Sequence, residues 1–360
     1  MISRNTYQRK DGRWESRIYT KCNKSGKTQY RSFYGKTREA AEAKAASYLQ
    51  ELCEASTAEM TVGQLAAEYL SVKTPQLKES TAANYRMKLE KHIIPALGKL
   101  AVCSVKAKSI YAFIETMRQS GLSERYISDN VILIKALFRF AYNTYSIMVN
   151  LSGIIMPKRA RPEVRLLSDK EQDKLKAYID NSKDRTALGV ALSLFTGIRI
   201  GELCALQWKD IDLEKRILTV SKTIQRIQTD DPVCRTKLVI TEPKSRSSAR
   251  SIPIPEFLAL RLNRYVGNGD SYLLSGIAKP VEPRVMQYRF SQMLKNADLP
   301  SVHFHSLRHA FATKCISLGF DVKTLSEILG HSSVELTLNR YVHSSLDRKK
   351  ACMDKLTWAA

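Results

Sequence analysis

Thr196-Gly197-Ile198-Arg199-Ile200-Gly201-Glu202-Leu203 follows an apolar run over residues 186–196 and interrupts it with a glycine. The run has the length and composition of a buried helix, and Gly197 supplies the left-handed residue on which helices commonly end. Just past the break, Arg199 and Glu202 stand three residues apart, the spacing that puts two side chains on one side of a helical turn. A carboxylate so placed can hold a guanidinium still. The same spacing describes an ordinary surface ion pair worth under about 1 kcal/mol, so the pair gains meaning only from its company. Upstream, Leu167-Ser168-Asp169-Lys170-Glu171 opens a helix with Ser168 as N-cap and Glu171 at the capping-box position. Downstream, residues 217–220, 237–241 and 250–254 alternate and read as strands, with Lys244-Ser245-Arg246-Ser247-Ser248 as a hairpin tip between the last two.

Five of the six histidines lie beyond residue 300. His305-Ser306-Leu307-Arg308-His309 places His305 and Arg308 on one helical face, where an imidazole can accept a proton and a guanidinium can fork onto phosphate oxygens. His305 and His309 also have the i, i+4 spacing of a zinc pair. The acidic residue of His-Glu-x-x-His is missing, however, and no third ligand cluster accompanies them, so neither a metal nor an organic cofactor is expected. Residues 322–329 form an amphipathic helix closed by Gly330, which leaves His331 on an exposed corner. Residues 333–342 read as a further helical segment carrying Tyr341. A tyrosine near a C terminus is, by itself, ordinarily core or surface.

The rest of the chain says what these residues meet. Lys and Arg number 58 against 35 Asp and Glu, a formal net charge of +23 that calls for a polyanion, nucleic acid first. No apolar run approaches a membrane span and no signal peptide is evident, so a cytoplasmic protein without membrane attachment is expected. The seven cysteines are scattered and never form Cys-x-x-Cys, which fits reduced thiols better than disulfides or a zinc knuckle. Residues 1–55 read as strands around Asp11-Gly12 and Ser25-Gly26 turns, then an Ala-rich helix capped by Thr37. Basic residues interleave there with Tyr and Trp, as a sheet laid in a DNA groove would need; a merely solvated basic face is the alternative. Residues 56–160 turn helical, with Thr61 as a cap and residues 131–142 as core, and Pro157-Lys158-Arg159-Ala160-Arg161-Pro162 reads as an extended linker. The expected fold is multidomain α+β: a small N-terminal three-stranded sheet plus helix, a central helical bundle, and a mainly α C-terminal domain with a small antiparallel sheet.

Taken together and in order, Arg199 in Thr-Gly-Ile-Arg, Lys244, His305 and Arg308 in His-Ser-Leu-Arg-His, His331 in Leu-Gly-His-Ser and Tyr341 in Asn-Arg-Tyr resemble the six-part catalytic set of the tyrosine recombinases. Lys222 and Lys237 compete with Lys244 for the lysine position. The resemblance covers residues 161–360, and the preceding segments look like the arm-site-binding (1–55) and core-site-binding (56–160) domains of phage and conjugative-transposon integrases. It implies a site-specific recombinase that integrates and excises a mobile element without metal or ATP. Tyr341 would attack DNA phosphorus to give a 3′-phosphotyrosyl intermediate, Arg199, Arg308 and His331 would hold the phosphoryl oxygens, His305 would serve as base and Lys244 as acid. Glu202 would orient Arg199. The implied partners are double-stranded DNA at core and arm sites, further copies of the chain in dimers or tetramers, and an excision factor, inside a bacterial cell. The apolar tail with Leu346, Met353, Leu356 and Trp358 would dock on a neighbouring subunit, or fold back on its own. A regulator that binds DNA without cutting it and a tyrosine-class topoisomerase are the rival readings, with a metal-dependent nuclease last.

Overall fold

Three antiparallel strands begin the chain: β1 (Arg4–Gln8), β2 (Trp14–Cys22) and β3 (Thr28–Gly35), in that order across the sheet. The computed structural model describes residues 4–22, 28–57, 60–151, 153–158, 165–229, 231, 234–242, 248–341, 350 and 353–354. It divides into two compact units, Met1–Pro162 and Glu163–Ala360. The Ser25-Gly26 turn, most of the basic linker (from residue 159) and most of the apolar tail lie outside the described residues; Met353 is described and exposed. Among the described residues no helix is long and apolar enough to cross a membrane.

Alternation along β2 sorts the small sheet into two faces. Ile18 is fully buried and packs with Ala45, Phe33 and Tyr48, so one face is covered by α1 (Arg38–Thr57), whose first turn is capped by Thr37 Oγ1 accepting from the Ala40 amide at 3.2 Å. On the other face Glu15 lies between Tyr7 and Tyr34, and Arg17 between Asn5 and Ser32. Glu15 is 1% exposed and accepts from Arg17 Nε at 2.6 Å, Ser32 Oγ at 2.7 Å, Tyr7 Oη at 2.8 Å and Arg9 Nη1 at 3.2 Å. The Arg17 guanidinium rests 5.1 Å from the Tyr7 ring centroid and 4.6 Å from that of Tyr30, and Arg9 rests 5.4 Å from Tyr34. Burial would raise the Glu15 carboxyl, but the Arg17, Ser32 and Tyr7 hydrogen bonds outweigh it and hold its pKa at about 2. A depressed carboxylate stabilises the fold above its ordinary pKa of 4.5 and loses that contribution as pH falls toward 2. Glu15→Gln is therefore expected to speed amide hydrogen exchange in β1–β3 of the full chain at pH 7, with the difference from the parent shrinking below pH 4.5. A difference that persisted undiminished at pH 3 would refute this account.

The bundle follows with α2 (Val62–Lys73), α3 (Glu79–Lys88), α4 (Ile94–Leu97), α5 (Ala107–Gln119) and α6 (Glu124–Tyr145). Thr61 and Gln64 form a reciprocal capping box on α2. Between α3 and α4 the helix widens into a π turn at Leu89–Ile93. Pro95 lies just beyond; it has no N–H for the carbonyl one turn back, and the wider turn absorbs that lost bond. The apolar stripe of α6 is core as its composition requires: Ile127, Val131, Ile134, Leu137 and Phe138 are buried against Leu65, Leu89 and Ile110.

The second unit opens with α7 (Asp169–Asn181), on which Ser168 and Glu171 form the expected capping box, and α8 (Arg185–Thr196). Residues 186–194 of α8 are all buried, so this helix is the axis of the core. After α9 (Ile200–Cys204) come β4 (Ile211–Asp212), β5 (Ile217–Val220), β6 (Thr223–Gln228), β7 (Thr236–Thr241) and β8 (Arg250–Pro253). Here the expected hairpin is corrected. Among the described residues β7 pairs with β6 and β8 pairs with β5, so the two strands flanking Lys244 belong to different sheets. The reason is packing: Leu218 and Ile252 sit opposite each other in the β5–β8 ladder and both are buried in the core. Five helices complete the described unit: α10 (Glu256–Asn263), α11 (Pro283–Asn296), α12 (His305–Ser317), α13 (Val322–Leu329) and α14 (Val334–Tyr341).

Candidate active site

α13 ends in a way that organises everything near it. Gly330 takes φ 62°, and the amides of Gly330 and His331 turn back to the carbonyls of Glu327 (3.0 Å) and Ser326 (3.1 Å). The next three carbonyls would be left over at the helix terminus. Each receives a guanidinium from a different element. Arg250 Nε donates to Ile328 O at 2.6 Å, Arg308 Nη2 to Leu329 O at 2.5 Å and Arg199 Nη2 to Gly330 O at 3.0 Å.

Arg199 reaches this point because α8 stops at Gly197, whose φ of 65° reverses the chain. A side chain there would strike Phe311 and Leu329, so only glycine fits. Ile198 then anchors in the core, and Arg199 becomes the N-cap of α9. Glu202 accepts from the Arg199 amide at 3.1 Å and from Arg199 Nη1 at 2.8 Å. This is no surface ion pair: the Glu202 side chain is 4% exposed, while Arg199 keeps 34% of its side chain open. Arg250 grips the same carboxylate with Nη1 to Oε1 at 3.2 Å and Nη2 to Oε2 at 2.8 Å. Burial pushes the Glu202 carboxyl up, but the Arg250 hydrogen bonds and the charges of Arg250 and Arg199 outweigh it, holding the group below the ordinary carboxylate value.

Arg308 comes from the first turn of α12 and is 2% exposed; besides Leu329 O it donates to Gly197 O at 2.7 Å. His305, the first residue of the same helix, is exposed and lines a cleft of about 540 Å3 with Arg199, Thr223, Arg226, Glu282 and Arg284. Its ring meets that of His309 edge to face, centroids 4.9 Å apart. The His331 ring is oriented by Thr337 of α14, Nδ1 to Oγ1 2.7 Å. Tyr341 is the last residue of α14, one helical turn beyond Thr337. Lys244 lies outside the described residues; of its rivals, Lys222 donates to Gln207 Oε1 at 3.2 Å and Lys237 is exposed on β7. The structure thus brings Arg199, Glu202, Arg308 and His331 around one helix terminus.

Two contributors were missed from the sequence, Arg250 and Thr337. The signal for Arg250 was available, because period two puts it on the same strand face as buried Ile252, where a charged residue demands a partner. Thr337 gave none, since only the turn at Gly330 carries α14 back to His331.

Residues 165–348 match the Phage integrase family, and residues 61–118 match its N-terminal SAM-like domain. A tyrosine recombinase XerC-like protein of Caldanaerobacter subterraneus subsp. tengcongensis is 27% identical, over 92% of each chain. The ICEBs1 integrase of Bacillus subtilis is 24% identical over 88% of each. Among solved structures, a Tn1549 transposon integrase in complex with a circular intermediate DNA is 25% identical, with a TM-score of 0.68 over 83% of this chain and all of that one. A lambda integrase tetramer on a Holliday junction, 20% identical, shares the fold with a TM-score of 0.60 over 95% of this chain and 98% of its own. With more than half of its 360 residues inside the family match, the chain belongs to the phage integrase family of tyrosine recombinases.

Proposed function

We propose that the chain is a site-specific DNA recombinase that integrates and excises a mobile element through a 3′-phosphotyrosyl bond to Tyr341. The observation that carries this reading is the charge at the α13 terminus. Three guanidiniums and His331 gather there around the buried carboxylate of Glu202, a concentration of donors suited to a phosphate. In the reaction, the Tyr341 oxygen attacks phosphorus and the bond to the 5′ oxygen breaks. His305 takes the phenolic proton, Lys244 supplies one to the departing 5′ hydroxyl, and Arg199, Arg308 and His331 stabilise the five-coordinate phosphorus. The phosphotyrosyl link conserves the energy of the broken bond, so ATP is not needed, and a different 5′ hydroxyl reverses the step on a new strand.

Exchange between two duplexes needs more than one subunit, so assembly into dimers or tetramers on DNA follows. Residues 161–360 carry the chemistry, residues 56–160 bind the core site, and the Arg9, Arg17, Tyr7, Tyr30 and Tyr34 face of the N-terminal sheet takes the arm site. An excision factor is a further partner, and the work is done in a bacterial cytoplasm. The likeness to a Tn1549 transposon integrase in complex with a circular intermediate DNA supports a transposon as the mobile element. The test is to incubate the full chain, in EDTA, with a nicked duplex spanning the joined ends of the element that encodes it. A covalent complex that survives denaturation, with the DNA-linked peptide containing Tyr341, is expected. Binding without any adduct, or an adduct that requires divalent metal, would overturn the reading.

A further inference from the structure

We propose that Arg250 is a positioning residue for strand cleavage: it sets the place of Arg199 by holding Glu202, on which Arg199 leans, and the end of the helix that presents Gly330 O to it. The inference rests on the function proposed above. Arg199 donates to Glu202 and to Gly330 O. Arg250 binds Glu202 through both carboxylate oxygens and anchors Ile328 O, two residues before Gly330. A further bond to Ser248 O at 3.0 Å ties down the near end of the connection that contains Lys244. With its side chain 6% exposed, Arg250 turns its donors inward, whereas Arg199 is 34% exposed. The division of labour follows from geometry: one guanidinium faces the cleft and the other braces it. A bidentate fork is what the bracing needs, because a buried carboxylate shared with Arg199 alone would lose part of its compensation and its fixed orientation.

The experiment measures single-turnover adduct formation by the full chain on the nicked duplex at saturating DNA, with affinity measured separately. Arg250→Gln is expected to slow adduct formation about 30-fold, as loss of a group that orients a reacting group commonly does, while affinity stays within about threefold. Arg250→Lys should recover part of the loss, leaving it about fivefold, since it restores charge without the fork. In a Glu202→Gln background the same Arg250→Gln change should cost about threefold or less, because Arg250 acts largely through Glu202. An equal loss in both backgrounds, or near-parental rates in Arg250→Gln, would overturn the proposal. If Arg250→Gln does not fold, Arg250→Lys carries the same two-background comparison with the same criterion. Hydrogen exchange without DNA supplies an arm that does not depend on chemistry. The Gly330 and His331 amides should exchange faster in Arg250→Gln, or in Arg250→Lys in its place, and unchanged exchange refutes the bracing role even if the parent forms no adduct.

Discussion

Tyr341→Phe is expected to abolish the covalent protein–DNA complex, lowering its rate of formation at least about 10⁴-fold, as removal of a nucleophile does elsewhere. The substitution keeps the ring and removes one oxygen, so DNA affinity should stay within about twofold, a small fraction of 1.4 kcal/mol per decade. Fold stability should be unchanged within about 0.5 kcal/mol. The comparison is sharp because the rest of the site keeps its own anchors: Arg199 and Arg308 are held at the α13 terminus, and His331 by Thr337. Gel-shift titration and denaturing gels on the same nicked duplex read the two quantities side by side. A Phe variant that still formed the adduct would move the nucleophile elsewhere and reduce Tyr341 to a helix-end residue.

Much of the fold could be read from local chemistry. The cap at Thr61, the capping box at Ser168 and the helix-ending glycines at 197 and 330 depend on a few neighbouring residues, and the structure has each of them where the sequence places it. Strand β5 is found at the residues its alternation marks. Partner choice was not legible, because alternation says that a segment is a strand and not which strand it joins. Strand β8 reaches back thirty residues to β5 because Ile252 needs Leu218, a long-range fact with no local mark. At the site the same boundary holds. The Arg199–Glu202 pair was visible from spacing, but its burial was not, and burial is what turns a surface pair into a brace. Arg250, forty-eight residues from Glu202, joins it only through the β5–β8 ladder.

The other large effect is expected at Arg308, where chemistry and architecture share one side chain. Its guanidinium joins Gly197 O at the end of α8 to Leu329 O at the end of α13, and it is among the largest fully buried side chains of the protein. Arg308→Ala leaves two carbonyls without these donors inside the core, which should cost about 2–6 kcal/mol, at about 1–3 kcal/mol for each buried group. Adduct formation should fall about 10³-fold, in the range seen when a donor to a developing anion is removed. Activity loss alone would leave the two roles tangled. Arg308→Lys separates them: it keeps the charge, but one ammonium does not reproduce a fork between two carbonyls while also meeting phosphate. A melting temperature between those of the parent and the Ala variant is expected, with adduct formation still slowed about 10²-fold at a temperature where both are folded. Parental cleavage by the Lys variant would show that charge suffices and that the fork serves only the fold. Parental stability with lost cleavage would show the reverse, that the carbonyl contacts are dispensable and the guanidinium is kept for the phosphate.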